Sequence, residues 1–185
     1  MHSIRNRKGE RIVKKITINL NEDKSINKAI RDLKRYKKEV EQKTRLLLQK
    51  LTDEGAQIVR VKIVNLGAYY SGALLSGVDG YYSPSLNVGF VRVTSDHVAF
   101  VEFGTGVVGA ANKHKNGEYL AKASWSYATG KKIFTTKDGK IGWIYPTDDG
   151  GFRFTQGMPS RPFMYETALE LQNNFRRIAE EVFRT

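Results

Sequence analysis

Apolar residues at Ile26, Ile30, Leu33, Tyr36, Val40, Leu47 and Leu51 recur at three- and four-residue steps, with Lys and Arg between them. This is the pattern of an amphipathic helix with one buried stripe. Asn21 is placed to cap it. Glu22 and Asp23 then stand at the positive end of the helix dipole, where carboxylates are stabilising. Glu39/Lys43 and Glu41/Arg45 add i,i+4 ion pairs. From Glu22 to Leu51 such a helix runs roughly 45 Å at 1.5 Å per residue, against about 40 Å for the width of a sphere holding a chain of this length. A helix that long is hard to hide in a monomer and points to packing against other subunits. Gly55 either ends the helix or lets it run on through Ala56, Val59 and Ile63, because Ile58 to Val64 fits both a helical face and a two-residue strand alternation; continuation is the favoured reading, and Asn65-Leu-Gly67 then breaks it.

Ahead of this helix, Ile12, Ile16, Ile18 and Leu20 share one phase of a two-residue alternation, as in an edge strand or extended arm, and Met1 to Glu10 is expected to be mobile. After it, Gly67 to Gly80 reads as loop and turn around the apolar anchors Leu74, Leu75 and Val78. Leu86 to Thr94 reads as a strand, Val91 and Val93 on one face and Val88 and Phe90 on the other, so both faces should be covered. Ala110 to Gly130 is small and polar and reads as a long loop anchored by Trp125 and Tyr127. The pairs Asp138-Gly139 and Asp149-Gly150 separate aromatic-rich runs at Lys132 to Thr136, Lys140 to Tyr145 and Gly151 to Thr155, which predicts a three-strand meander. Ser160-Arg-Pro-Phe opens a last helix, Pro162 near its first position, with Met164, Ala168, Leu171, Phe175, Ile178 and Val182 as its buried face.

Within this alternation the stretch from Ser95 to Gly106, Ser-Asp-His-Val-Ala-Phe-Val-Glu-Phe-Gly-Thr-Gly, is unusual. Glu102 lies between Val101 and Phe103 at the end of an apolar run, where a carboxylate needs water, a partner or a neighbouring subunit. Gly104, Gly106 and Gly109 then permit a sharp turn away from the core, so that a buried element ends and an exposed loop begins.

Composition narrows the classes. The 185 residues suit one domain, with 40% hydrophobic content for its core. Cysteine is absent, which excludes disulfides, thiolate catalysis and Cys-ligated zinc. No run approaches the ~20 apolar residues of a membrane span, and the basic N-terminus lacks an apolar targeting core, so a soluble, non-secreted protein without a membrane partner is expected. Of the formal charge of +12, Met1 to Lys62 carries +10, with 18 Lys and Arg against 8 Asp and Glu. This suits a polyanion or an acidic partner, and equally a solvated helix face.

Candidate chemistry is sparse. Gly104-Thr-Gly-Val-Val-Gly109 spells G-x-G-x-x-G, but no periodic helix follows it and no acid stands near position 125, so a dinucleotide cofactor is not expected. His97, Glu102 and His114 are the one group suggestive of metal or acid-base chemistry. Their spacing matches no metal motif, and His97 reads as a turn residue and His114 as a loop residue among lysines. Ser71 and Ser76 lack a nucleophile-elbow setting. The dense Lys and Arg of the first helix suffice for phosphate-backbone contact, without any base-reading motif.

Three stretches, Tyr70-Ser-Gly-Ala-Leu74, His97-Val-Ala-Phe-Val-Glu-Phe-Gly-Thr-Gly106 and Gly157-Met-Pro-Ser-Arg-Pro-Phe-Met164, resemble the tail-completion or neck proteins that join head to tail in long-tailed bacteriophages, the gene-product-ten type of lambdoid siphophages. The resemblance spans about Glu22 to the C-terminus. It implies an α+β fold: an antiparallel sheet packed against a long N-terminal helix and a C-terminal helix. The basic arm 1–20 would precede a single domain 21–185 that includes the extended loop and meander of 107–156. It implies a structural, non-enzymatic virion protein without cofactor or metal, assembled in the host cytoplasm as a homo-oligomeric ring of six or twelve copies. Its partners would be a head-closure or adaptor protein and a tail terminator or tube protein, with double-stranded DNA passing through the lumen.

By the same resemblance, Glu102, Phe103, Gly104 and Thr105 sit where sheet core meets loop, and Arg161, Pro162 and Phe163 anchor the last helix, as fold or subunit-contact positions. Two contacts would join these stretches: Phe103 against Phe163, and Glu102 paired with Arg161. The alternative function, from another class, is a basic nucleic-acid-binding protein contacting the phosphate backbone.

Overall fold

A computed structural model describes residues 15–68, 72–128 and 130–184. The expectations for Met1 to Glu10, for the start of the arm, and for Tyr70 and Ser71 lie outside the described residues. The fold is α+β. Helix α1 (Asp23–Asn65) is followed by α2 (Ala73–Ser76), strands β1 (Val78–Ser83) and β2 (Val88–Val93), and three short helices, α3 (Val98–Phe103), α4 (Gly106–Ala111) and α5 (Gly117–Lys122). Strands β3 (Phe134–Thr135), β4 (Ile141–Pro146), β5 (Phe152–Thr155) and β6 (Gly157–Met158) lead to α6 (Phe163–Arg184). In place of one sheet there are two, a β1-β2 hairpin and a β3-β4-β5 meander, both antiparallel.

The chain divides into two compact units. The first contains residues up to Glu54, Tyr81–Phe90 and the chain from Leu171. Here Lys15 to Asn19 take no regular structure, and Ile18 and Leu20 of the expected strand phase are exposed. The N-terminal residues of α1 form the expected helix, one residue later than expected, with Ser25 N–H bonded to Glu22 C=O. Glu39 pairs with Lys43 at 3.7 Å as expected, whereas Glu41 pairs with Lys37 at 3.8 Å rather than with Arg45. The expected buried stripe is only partly covered: Ile26, Val40, Leu47 and Leu51 are half-buried, but Ile30, Leu33 and Tyr36 are exposed. Late in α6, Ile178 and Val182 are buried as expected while Phe175 is half exposed. Arg177 bridges Glu54 and Glu181 at the exposed margin, where ion pairs add little to stability.

The second unit contains Gly55–Gly80 and Val91–Glu170. Helix α1 runs through Gly55 without a break, and its next residues Ala56, Val59 and Ile63 form a core with Ala68, Leu74, Val78, Val101 and Phe163. Val91 and Val93 pack onto this core, but Val88 and Phe90 are exposed, so one face of β2 is covered rather than two. A strand residue can point to either side, and the alternation alone does not say whether a second layer exists. The segment expected as loop before Gly80 supplies α2 and β1, and the loop expected over Ala110–Gly130 contains α5.

The first turn of α6 is rotated by one residue from the expected face. Phe163 is fully buried and Thr167 buried, while Ala168 is exposed. Phe163 fills the core, and residue i+4 follows it inward. Thr167 is tolerated because its hydroxyl donates to the Phe163 carbonyl at 2.7 Å.

The meander forms as expected, with Ile144 opposite Phe154 and Tyr145 opposite Arg153. Its Asp-Gly turns put only the glycine at positive φ, with a Gly139 N–H to Thr136 C=O bond and a Thr136 N–H to Lys140 C=O bond. That is a three-residue loop closed by a bulge, rather than the two-residue turn that needs positive φ twice.

Candidate functional site

Two of the three motif stretches that the sequence singles out, 97–106 and 157–164, lie against each other inside the second unit. Arg161 N–H donates to Val101 C=O at 2.9 Å, Ser160 Oγ to Glu102 C=O at 2.6 Å and Ser160 N–H to Asn112 C=O at 3.1 Å. Met158 N–H reaches Thr105 Oγ1 at 3.3 Å, and Thr105 and Gly106 bridge to Met158 and Gly157. The chain turns at Gly104, where φ is +80° and ψ is 167°, a region essentially restricted to glycine. A Cβ there would lie 2.6 Å from Ser160 N and 2.9 Å from Met158 O. The turn leads from α3 into α4, whose Gly106 and Gly109 are buried while Val107, Ala110 and Ala111 are exposed, so the expected exposed loop begins with a short helix packed on its glycine side.

Glu102 sits at the centre with its side chain 5% exposed. Its Oε2 accepts Met164 N–H at 3.0 Å, and its Oε1 accepts Tyr165 N–H at 3.1 Å. These are orphan donors of the first turn of α6, so a carboxylate from α3 caps that helix at its positive end. His114 Nε2 lies 3.3 Å from Oε1, its side chain fully buried. Asn116 N–H points at His114 Nδ1 at 3.1 Å, nearer than the Asn116 carbonyl at 3.3 Å. From these partners we assign Nδ1 as acceptor and Nε2 as the nitrogen donating to Glu102. Asn116 also caps α5 through its side chain, which accepts Tyr119 N–H at 3.1 Å.

Rings enclose the pair. Phe103 meets His114 at 5.4 Å, Tyr119 at 5.9 Å and Trp125 at 5.1 Å between centroids, and Tyr165 meets His114 at 5.3 Å. Trp125 is held by its Nε1–H, which donates to Gly104 C=O at 3.0 Å. Burial pushes the Glu102 carboxyl above its ordinary value, opposed by the Met164 and Tyr165 N–H groups and by His114. Because three donors occupy its oxygens and rings cover His114, the pair acts as a structural clasp, closed to a reacting molecule.

The expected Glu102–Arg161 pair is not formed among the described residues. The carboxylate takes His114 and the α6 N–H groups, while Arg161 contributes its backbone. The expected Phe103–Phe163 contact is likewise replaced: Phe103 packs in the ring cluster and Phe163 in the core. His114, read as a loop residue among lysines, lies in a loop but is buried. No spacing signal marked it, since its role depends on where the chain folds back. Pro162 is buried one residue ahead of α6, with its carbonyl accepting Glu166 N–H at 2.9 Å.

Beside the clasp opens a cleft of about 1170 Å³. Phe100, Trp125, Tyr127, Trp143 and Tyr145 line it, together with Asp148, Asp149 and Arg153. Among the described residues no cluster of three His, Asp or Glu could hold a metal ion. Nor is any helix among them long and apolar enough to cross a membrane.

Fold and clasp together define an α+β protein whose last helix is capped from a distance by a buried carboxylate. No protein-family model, curated protein or solved structure matches the chain.

Proposed function

We propose that this chain is a structural virion protein of a bacteriophage neck, forming a ring that joins the DNA-filled head to the tail. The observation that carries the reading is the meeting of two of its three motif stretches. Residues 97–106 and 157–164, which bear the resemblance to tail-completion proteins, interlock through Glu102, Ser160 and the N–H groups of Met164 and Tyr165. Motif residues committed to bonding each other suit a scaffold whose work is done by its outer surfaces. The apolar residues left exposed on α1 and on the meander are in keeping with a chain that functions assembled.

The test is electron microscopy of particles made with and without the chain. The expected outcome without it is full heads and separate tails that fail to join, with joining restored by the purified protein. Complete infectious particles in its absence would overturn the reading. The second reading, backbone-type binding of nucleic acid, draws on the ten Lys and Arg against four Asp and Glu between Asp23 and Lys50. It predicts duplex binding by the monomer that weakens steeply with salt.

A further inference from the structure

The outward face of the meander is apolar where a solvated antiparallel sheet is ordinarily polar. Directly opposed residues point to the same side, so the pairing of Ile144 with Phe154 and of Phe134 with Gly142 puts Phe134, Ile144, Phe152 and Phe154 on one face. The other face carries Trp143, Tyr145, Arg153 and Thr155, which line the cleft. Of the outward four, Phe134 is 39% exposed, Ile144 45%, Phe152 74% and Phe154 36%. With aromatic side chains of ~150–250 Å² each, the face presents on the order of 300–400 Å² of apolar surface. A patch of that size matches the largest apolar patch of a typical monomer, which is often functional, and it falls short of the ~800 Å² per partner of a stable interface, so other contacts must add to it.

The same chain carries a second uncovered apolar surface of complementary kind. On α1, Ile30 is 45% and Leu33 52% exposed, one turn apart, flanked by Arg31, Lys34 and Lys37. The β4–β5 turn at the end of the meander carries Asp148 and Asp149, both exposed and both also lining the cleft. Asp149 is held ionised, its carboxyl drawn below the ordinary value by the Thr147 hydroxyl and the Gly151 N–H. One surface is a sheet face without a covering helix, with acids at its β4–β5 turn and Lys132 over Phe134 at its opposite edge. The other is an amphipathic helix stripe without a sheet, bordered by bases.

We infer that the outward meander face of one copy is covered by the Ile30–Leu33 stripe of α1 from a second copy, with the α1 cations toward the Asp148–Asp149 turn. The contact joins two different patches, so it is heterologous and repeats from copy to copy. It deepens the ring reading by naming the surfaces through which copies meet, and rests on that reading only for its biological setting.

The test uses the full chain, with self-association followed by sedimentation velocity over a wide concentration range. Phe152→Ser on the face and Leu33→Ser on the stripe change exposed positions, and circular dichroism checks that each variant stays folded. Wild type is expected to form concentration-dependent oligomers, and each variant to weaken association roughly tenfold or more, as central apolar anchors do. The two variants mixed are expected to form a capped one-to-one dimer, since the stripe of Phe152→Ser can meet the face of Leu33→Ser. Asp148→Lys is expected to weaken association with the fold untouched.

A wild type that stays monomeric overturns the inference, as do variants that associate like wild type. Variants that are each monomeric yet fail to pair when mixed point to a contact between like faces and also overturn it. If the surfaces behave as described but particles assemble without the chain, the neck reading falls and this contact stands. If particles need the chain but the variants do not alter association, the reverse holds.

Discussion

The carboxylate of Glu102 accepts the backbone N–H of Met164 at 3.0 Å, so a residue near the end of α3 caps a helix that begins some sixty positions later. Helix caps are ordinarily local. Here the cap ties together the two stretches on which the fold of the second unit turns.

Removing that cap should be costly. Glu102→Ala leaves two helix N–H groups and the His114 Nε2–H unpaired in a buried site, for an expected loss of about 2–4 kcal/mol. Urea denaturation followed by circular dichroism measures it, and a loss below that of an ordinary surface substitution would contradict the clasp.

The same carboxyl sets a pH dependence. Its value in the folded chain is raised above the ordinary 4.5, first through burial. The folded state therefore holds the proton more tightly than the unfolded state, so this stabilising contribution is complete below the unfolded value and is lost as pH rises through the folded one. Glu102→Gln cannot titrate, so wild type should gain thermal stability relative to this variant as pH is lowered through that window. A difference in melting temperature that stays flat, or moves the other way, would reject the assignment.

Gly104 and Gly139 offer a comparison, because both have φ of +80° while Gly104 adds a ψ of 167° that is essentially restricted to glycine. A Cβ on Gly139 meets nothing within 4 Å, whereas one on Gly104 meets Ser160 N at 2.6 Å. Gly139→Ala is expected to cost about 1–2 kcal/mol, for backbone strain alone. Gly104→Ala should cost at least about 3 kcal/mol, because overpacking adds to the strain. Equal losses from the two would mean that the close approach of the motif stretches is wrong.

Phe163 and Phe152 form a second contrast. Phe163 is fully buried in the core and Phe152 is 74% exposed. Phe163→Ala should cost about 3–5 kcal/mol, and Phe152→Ser should stay within about 0.5 kcal/mol of wild type. Denaturant midpoints of the full chain distinguish the two, and a strongly destabilised Phe152→Ser would mean that the meander face is covered within the chain.

Much of the secondary structure was readable along the chain. The three- and four-residue spacing of α1 and its continuation past Gly55, the strand near Val88 to Val93, the Asp-Gly meander and the last helix all follow from local periodicity and turn chemistry. The short helices α3 and α4 were harder to read. A six-residue apolar run such as Val98–Phe103 fits helix and strand alike. The buried face of α6 was misjudged at its first turn because the packing of Phe163, rather than the spacing of its neighbours, sets the rotation.

Of the site, the sequence by itself determined that Glu102 needs a partner, because a carboxylate in apolar surroundings cannot stay unpaired. Which partner it takes was decided only by the tertiary structure. His114 lies 12 residues on and Tyr165 63 residues on, and no periodic rule reaches across such distances. The same division holds at the surface. Helical spacing made the α1 stripe apolar and alternation the meander face, while only the packed chain left both of them open to solvent, since exposure depends on what the rest of the chain brings alongside.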